Sequence, residues 1–186
     1  WFLDRMDDKW KSNKNRFNAK LDLMEANFCT TNPQDLNFQK KLNIHFMPNP
    51  VDPSLEKMNI YENKNFSSDV FFAMSHGVHR GVLKKGKIDK RESLIAKLTN
   101  QLLDIKFDIY GMNEAEPIWS DNYLKALSKS KIGLNLSQGS PGKFYSSDRF
   151  SQLIGNGLLV MIDKKTKLGN FFNKDEIILY TNIHDL

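Results

Sequence analysis

The hydrophobic and polar positions along the chain change their spacing several times, and residues 143–163 show the clearest pattern. The stretch contains Ser-Ser-Asp-Arg, whose side-chain oxygens are typical of a helix N-terminus. The helical pattern ends at Gly-Asn-Gly, and the apolar run Leu-Leu-Val-Met-Ile follows. A run this short, bounded by Gly and Asp, predicts a strand buried on both faces. The stretch therefore predicts a helix, a tight turn and a buried strand, which is one unit of an α/β sheet.

From residue 69 onward, strand patterns alternate with helical patterns. The predicted strands are residues 69–74, 107–110, 132–136, 158–162 and 176–180. The predicted helices are residues 90–103, which place Leu94, Ile95, Leu98 and Leu102 on one side, residues 122–128, and the helix that begins near residue 146. Strands that alternate with helices require right-handed crossovers. The pattern therefore predicts an α/β fold with a Rossmann-like parallel sheet flanked by helices.

The first 53 residues predict the remnant of a preceding α/β domain. Short strands are predicted at residues 1–4, 26–31 and 44–47, and helices at residues 14–25 and 36–42. Pro48, Pro50 and Pro53 then interrupt regular structure, because proline fixes φ and restricts the residue before it. We therefore predict the end of an N-terminal domain at residues 1–53, a linker at 54–67 and a second domain at 68–186.

The two ends of the chain predict a fragment of a longer protein. The chain begins at Trp1 without a Met, and residues 182–186 have the pattern of a helix cap and one unfinished turn. We therefore expect the second domain to be truncated at its C-terminus.

Charge and composition narrow the class of protein. The net charge is +5 and the pI is about 9.2. The basic residues are mostly lysines spread evenly along the chain, so we predict a solvated surface and no nucleic-acid partner. No apolar run approaches the roughly 20 residues of a membrane span, and no signal peptide is recognisable. Cys29 is the single cysteine, which excludes an internal disulfide and favours a cytoplasmic location.

Polar, glycine-rich segments follow the predicted strands. They are residues 75–80, 110–111, 137–142 and the loop before Ser146. Ligands of parallel sheets bind at the carboxyl ends of the strands, and a helix N-terminus suits a phosphate or a sugar hydroxyl. The sequence therefore predicts a ligand site at this edge of the sheet.

Four motifs in these segments resemble a known family. They are SHGVHRGVLKKG (75–86), Tyr110-Gly111, KIGLNLS (131–137) and YSSDRFSQLIGNGLLVMID (145–163). From about residue 68 the order of elements resembles the C-terminal, donor-binding half of a GT-B glycosyltransferase of the CgeB-like or glycosyl transferases group 1 type. The segment PNPVDPS (48–54) is similar to the interdomain passage of such enzymes. The family typically has E-A-x-A-x-G-x-P-V, and this alignment places Gln152 at the Glu and Leu159 at the Pro.

The resemblance implies an enzyme that transfers a sugar from a nucleotide-sugar donor to a glycan or protein acceptor. It implies no metal and no cofactor besides the donor itself, because cationic side chains and a helix N-terminus hold the diphosphate. Arg80 and Lys85 are the candidates for the diphosphate, Tyr110 for the base and Gln152 for the ribose. The other candidates on the same loops and helix are Ser75, Gly77, His79, Gly111, Tyr145, Ser146, Ser147, Asp148 and Arg149.

Several alternatives stay open. Arg91 can take the place of Arg80 as a helix-start arginine of the CgeB-like kind. Residues 146–148 can be a plain helix cap, and Arg149 can be structural. His76 and His79 have a metal-like spacing but no Cys or acidic partner nearby, so we predict no metal site. Because Gln replaces the family's Glu, a non-catalytic nucleotide- or sugar-binding module is the alternative function.

Overall fold

A computed structural model describes residues 2–3, 20–21, 23–36, 43–75, 89–112, 114–137 and 141–186, and they form two parallel sheets. The first sheet has three strands in the order β1-β2-β3: β1 Phe2–Leu3, β2 Asn27–Cys29 and β3 Ile44–Phe46. The second has five strands: β4 Ser68–Ala73, β5 Phe107–Tyr110, β6 Ser130–Asn135, β7 Leu159–Asp163 and β8 Ile177–Tyr180. Among the described residues the longer helices are α1 Lys90–Gln101, α2 Ser120–Leu127 and α3 Asp148–Gly155.

The strand order of the larger sheet decides where a ligand can bind. The order is β5-β4-β6-β7-β8, and every neighbouring pair is parallel. The chain therefore starts near the middle of the sheet, adds one strand on one side and then crosses to the other side. This is a doubly wound arrangement, and the direction in which successive strands are added to the sheet reverses between β4 and β6. The predicted fold class, a Rossmann-like α/β sheet flanked by helices, is confirmed.

The helices cover both faces of the larger sheet. On β4, the adjacent residues Phe71 and Phe72 alternate between the two faces, and both are essentially inaccessible to solvent. Phe71 belongs to a core with residues of α2 and α3, whereas Phe72 belongs to a second core with Ile95 and Leu98 of α1. The alternation explains why β4 is apolar from Val70 to Ala73, since a parallel strand inside the sheet is buried on both sides.

Local signals fix the ends of α1 and α3. The Asp89 side chain caps α1 by accepting a hydrogen bond from the backbone N–H of Arg91, and the Ser147 hydroxyl accepts one from Phe150 N at the start of α3. The chain then leaves α3 through Asn156 and Gly157, whose φ of 89° suits glycine. The predicted helix, turn and strand of residues 143–163 are therefore present.

The segment predicted as a linker packs against α3. Ile60 is 3% exposed and belongs to the same core as Leu153, and its backbone N–H donates to Asn156 O at 2.9 Å. A Cβ on Gly157 would lie 2.6 Å from the Tyr61 ring, which shows how closely the segment approaches the end of α3. The division into domains stays a prediction.

The N-terminal elements differ in part from their prediction. Residues Pro33–Leu36 form a 3-10 helix, where the sequence predicted a loop up to Leu36. The side chain of Asn32 donates to Asp35 Oδ1 at 3.0 Å and favours this earlier turn. Residues 37–42, and most of the helix predicted at 14–25, lie outside the described residues. Within the described ranges, no helix has both the length and the apolar character needed to cross a membrane.

Candidate active site at the carboxyl edge of the larger sheet

Doubly wound sheets have a crevice where the strand order reverses, and in this sheet that position lies beyond the carboxyl ends of β4 and β6. β4 ends at Ala73 and leads to Ser75, and β6 ends at Asn135 and leads to Ser137. In doubly wound sheets the ligand binds at this point, where neighbouring connections diverge to opposite faces. The predicted site residues Gly77, His79, Arg80 and Lys85 fall within residues 76–88, outside the described residues, and their roles stay predictions.

Arg149 occupies this crevice and joins the two strand ends. Its Nε donates to Ala73 O at 3.2 Å, and its Nη1 donates to Leu136 O at 2.8 Å. The guanidinium carbon also lies 5.3 Å from the centroid of the Phe72 ring, within the range of a cation–π contact. Arg149 is the second residue of α3, so the helix start brings a cation between the ends of β4 and β6.

The charge of Arg149 has no carboxylate partner in the part of the chain that the structure describes. Burial and the neighbouring Arg91 lower the pKa of Arg149, whereas Tyr123, Tyr145 and Asp89 oppose that change. Arginine nevertheless stays protonated in proteins. A buried cation costs free energy unless an anion compensates for it. The crevice is therefore suited to an anionic ligand.

The start of α1 contributes a second arginine from the other face of the sheet. Arg91 forms a bidentate pair with Asp89, with Nε–Oδ1 at 3.0 Å and Nη2–Oδ2 at 2.8 Å. Both side chains are about one-tenth exposed. Arg91 and Arg149 are close enough for one to lower the pKa of the other. Arg91, the alternative to Arg80 as the arginine that binds phosphate, therefore lies near Arg149.

The predicted residues at the start of α3 are engaged in contacts within the protein. Ser146 is inaccessible to solvent, its N–H donates to Thr30 O at 2.8 Å, and its hydroxyl accepts from Asn49 N at 3.2 Å. The Ser147 hydroxyl donates to Asn135 Oδ1 at 3.3 Å and caps the helix. In this arrangement the two serines hold α3 in place. Ser147 acts as a helix cap, as one of the alternatives from the sequence has it.

Asn49 ties the smaller sheet to α3, and sequence reasoning did not identify it. Its Nδ2 donates to Asp148 Oδ1 at 2.8 Å and to Ser146 O at 3.4 Å, and its carbonyl accepts from the Ser151 hydroxyl at 2.7 Å. The available signal was a polar residue between two prolines, which hold the backbone extended on either side. The helix that carries Arg149 is therefore anchored to the segment after β3.

We expect Asn49→Ala to lower the free energy of unfolding by about 1 kcal/mol, because two side-chain hydrogen bonds to the start of α3 are lost. Urea denaturation monitored by circular dichroism measures the change. Asn65→Ala is the matched control, since Asn65 is exposed and lies in the segment before β4. Equal stabilities of the two variants would contradict the anchoring role.

Tyr110 and Gly111 lie where β5 ends. The Tyr110 ring is 6.1 Å from the Phe71 ring, and burial, together with Asp108, raises the pKa of its hydroxyl. Gly111 has a φ of 81°, and a Cβ at this position would lie 1.7 Å from Met74 O. Glycine is therefore required at position 111, because the backbone after β5 packs directly against the backbone of Met74 at the end of β4. The base-stacking role of Tyr110 stays a prediction.

The other candidates are partly placed. Gln152 is half-buried one turn after Asp148 and Arg149, and Tyr145 is close enough to Arg149 to affect its pKa. Ser75 is half-buried and lies two residues after the end of β4. Within the described ranges, no group of three or more His, Cys, Asp or Glu side chains could hold a metal ion.

The fold is a doubly wound α/β domain with a buried cation, Arg149, at the carboxyl edge of its larger sheet. A family model described as glycosyl transferase-like matches residues 90–186, slightly more than half of the chain. The protein belongs to this glycosyl transferase-like family, which supports glycosyl transfer in the broad sense and implies a sugar donor and an acceptor. No curated protein matches the chain with significant similarity. The match begins at α1 and includes Arg149 and Gln152.

Proposed function

We propose that the protein transfers a sugar from a nucleotide-sugar donor to a glycan or protein acceptor in the cytoplasm, as a metal-independent enzyme of the GT-B type. The observation that carries the proposal is Arg149, a buried cation bonded to the carbonyls of Ala73, the last residue of β4, and Leu136, the first residue after β6. A nucleotide-sugar brings an anionic diphosphate, which matches this charge. The likeness to CgeB-like and group 1 enzymes supports the same assignment.

The chemistry needs stabilisation of the leaving diphosphate while the glycosidic bond breaks. Negative charge develops on the oxygen that leaves the sugar, so fixed cations at that position lower the barrier. Arg149 supplies a planar guanidinium, and the sequence after β4 offers Arg80 and Lys85 for the same diphosphate. Gln152, one turn along α3, is the proposed ribose ligand, and Tyr110 the proposed base contact.

We expect calorimetric titration with UDP, GDP, ADP, CMP and dTDP in EDTA to show saturable binding of one nucleotide. Arg80→Ala should weaken that binding by roughly 10-fold or more, because a charge-assisted hydrogen bond contributes about 1.5 to 3 kcal/mol. Lys129→Ala is the control, since this exposed lysine precedes β6 at the opposite edge of the sheet. Absence of binding by all five nucleotides to the folded chain would contradict the proposal.

One observation favours a second candidate, a non-catalytic nucleotide- or sugar-binding module. Gln152 stands where the resembled enzymes have a Glu, so this position brings a hydrogen-bonding amide but no charge. The enzyme and a nucleotide-binding module both predict nucleotide binding, whereas a module that binds only sugar does not. Release of the nucleoside diphosphate from a nucleotide-sugar, measured over time, separates the enzyme from the module.

A further inference from the structure

Three phenylalanine rings form a cluster where the two sheets meet. Phe46 is the last residue of β3, Phe144 lies in the loop before α3, and Phe171 ends a short 3-10 helix after β7. Their ring centroids are 5.1 to 5.6 Å apart, and the rings of Phe46 and Phe171 are stacked at 25°. Phe171 nevertheless remains 55% exposed. Single exposed apolar side chains are ordinary, but three rings in mutual contact form an apolar surface that a ligand can cover.

Backbone hydrogen bonds from both sheets hold this cluster. Lys143 O accepts from the Asn32 N–H at 2.8 Å and from the Thr31 hydroxyl at 3.0 Å, so the segment after β2 fixes the residue before Phe144. The Phe144 N–H donates to Thr166 O at 2.6 Å and ties the loop to the turn after β7. Phe144 has a φ of 60°, which is uncommon for an aromatic residue and persists only where surrounding contacts impose it. The position of the Phe144 ring is therefore set by both sheets.

Four lysines lie beside the three rings. Lys143 Nζ is 4.7 Å from the centroid of the Phe144 ring, within the range of a cation–π contact. The turn that bonds to Phe144 contains three exposed lysines, Lys164, Lys165 and Lys167. In the part of the chain that the structure describes, none of the four lysines forms an ion pair with a carboxylate. The adjacent Asp163 accepts from the backbone N–H of Lys165 at 2.8 Å. The surface is positively charged even with this carboxylate counted.

A sugar chain with anionic groups matches both the rings and the lysines. One face of a pyranose ring consists of C–H bonds and packs on an aromatic ring, and anionic groups on the chain pair with lysine. An anionic membrane would match the lysines as well, but a membrane-binding surface inserts several apolar side chains among the lipids. Of the three rings here, only Phe171 is more than half exposed. The observations therefore favour a sugar chain over a membrane.

The three rings lie close to the residue proposed to bind the donor. Phe144 precedes Arg149 by five residues, so their Cα atoms are no more than about 18 Å apart. An acceptor has to place one hydroxyl at the donor sugar, and the rest of a chain-like acceptor must then lie on the neighbouring protein surface. A short oligosaccharide can extend from Arg149 to the three rings.

We propose that the surface formed by Phe46, Phe144, Phe171 and the four lysines binds the acceptor, and that this acceptor is a sugar chain with anionic groups. The inference rests on the proposed function and names the class of its acceptor. The rings bind the apolar faces of the sugars, and the lysines select chains with negative charge. Binding should therefore weaken as the salt concentration rises, because the lysines are exposed.

The first test removes two of the lysines. Calorimetric titration at low salt uses oligogalacturonate as the anionic sugar chain and maltoheptaose as the neutral one, and the unmodified chain should prefer oligogalacturonate. The double variant Lys164→Ala, Lys165→Ala should bind oligogalacturonate roughly 5- to 10-fold more weakly, since each exposed ion pair contributes modestly. The double variant Lys125→Ala, Lys129→Ala removes the same charge from exposed lysines on α2 and before β6, and should change the affinity much less.

The second test is Phe171→Leu, which keeps an apolar side chain and removes the aromatic face. Affinity for oligogalacturonate should fall roughly 5-fold, as for the loss of one aromatic contact. The melting temperature should change little, because Phe171 is more than half exposed. Tyr61→Leu, at an exposed aromatic residue beside the end of α3, is the matched control and should keep the affinity.

The outcomes separate this inference from the proposed function. If the unmodified chain binds a nucleoside diphosphate but not oligogalacturonate, the inference is overturned and the proposed function stands. Equal losses in the two double lysine variants overturn the inference as well, because they would reflect total charge alone. If oligogalacturonate binds but none of the five nucleotides does, the proposed function fails, and the role as an acceptor site fails with it.

Two further outcomes would also overturn the inference. If Phe171→Leu lowers the melting temperature in proportion to the affinity, the ring has a structural role. If phosphatidylglycerol vesicles bind the unmodified chain through Lys164 and Lys165 and oligogalacturonate does not bind, the surface contacts a membrane. Selective loss of oligogalacturonate affinity in both variants, with nucleotide binding retained, supports the proposal.

Discussion

Arg149→Gln is expected to weaken binding of the preferred nucleoside diphosphate by at least about 100-fold. The variant removes the buried positive charge and the planar fork, while the amide can still donate to one of the carbonyls of Ala73 and Leu136. Charge-assisted hydrogen bonds to phosphate contribute about 1.5 to 3 kcal/mol each, and a guanidinium can form two. Calorimetric titration in EDTA measures the affinity, and thermal denaturation reports on the fold.

Arg149→Lys separates the ligand role from a purely structural one. Lysine keeps the charge but not the fork, so it should retain part of the affinity that the Gln variant loses. Neither substitution keeps both bonds to the strand ends in the observed geometry, so both should lower the melting temperature to a similar extent. Equal affinity losses in the two variants, in proportion to their loss of stability, would mean that Arg149 only holds β4 and β6 together.

Gly111→Ala is expected to lower the free energy of unfolding by about 3 kcal/mol or more. The new Cβ would lie 1.7 Å from the carbonyl oxygen of Met74, and this oxygen belongs to backbone at the end of the central strand. The φ of 81° adds a further penalty for a residue with a side chain. Overpacking of this kind costs typically 1 to 3 kcal/mol, to which the strained φ adds about 1 kcal/mol. Urea denaturation provides the measurement.

Gly142→Ala is the matched control for that prediction. Gly142 lies on a loop at the same edge of the sheet, and the nearest atom to its Cβ would be Thr31 Oγ1 at 3.1 Å. A hydroxyl at the end of a side chain can move by a few tenths of an ångström, whereas the Met74 carbonyl cannot. A Gly111→Ala protein as stable as the Gly142→Ala protein would show that the backbone at the end of β5 adapts, and that the close approach is not required.

The variants of Arg149 and Gly111 distinguish residues that bind a ligand from residues that hold the backbone, at the same edge of the sheet. Gly111 and Ser146 were both predicted as ligand contacts, but each is explained by neighbouring backbone: Met74 for the glycine, Thr30 and Asn49 for the serine. Arg149 is different, because hydrogen bonds to two carbonyls do not compensate a charge. The distinction directs the search for ligand contacts to groups whose chemistry the protein leaves unsatisfied.

The sequence by itself determined the local elements and the fold class. The alternation of strands and helices from residue 69 onward is present as predicted, because a strand buried on both faces must be apolar and a surface helix must be amphipathic. Helix starts were recognisable for a similar reason, since Asp89 and Ser147 satisfy N–H groups within the same few residues. Strand and helix patterns and helix caps depend on residues that are close in the chain, so the amino-acid sequence alone predicts them.

The tertiary structure alone decided the strand order and the partners of the polar side chains. No local pattern states that β6 lies beside β4, yet this pairing sets the point where the strand order reverses and brings the ends of both strands to Arg149. The sequence likewise does not reveal that Asn49 meets a helix 99 residues further on, or that Arg149, among the described residues, bonds to two carbonyls and to no carboxylate. Such contacts arise only when distant segments are packed together, because hydrogen bonding and charge compensation depend on distance in space rather than on position in the chain.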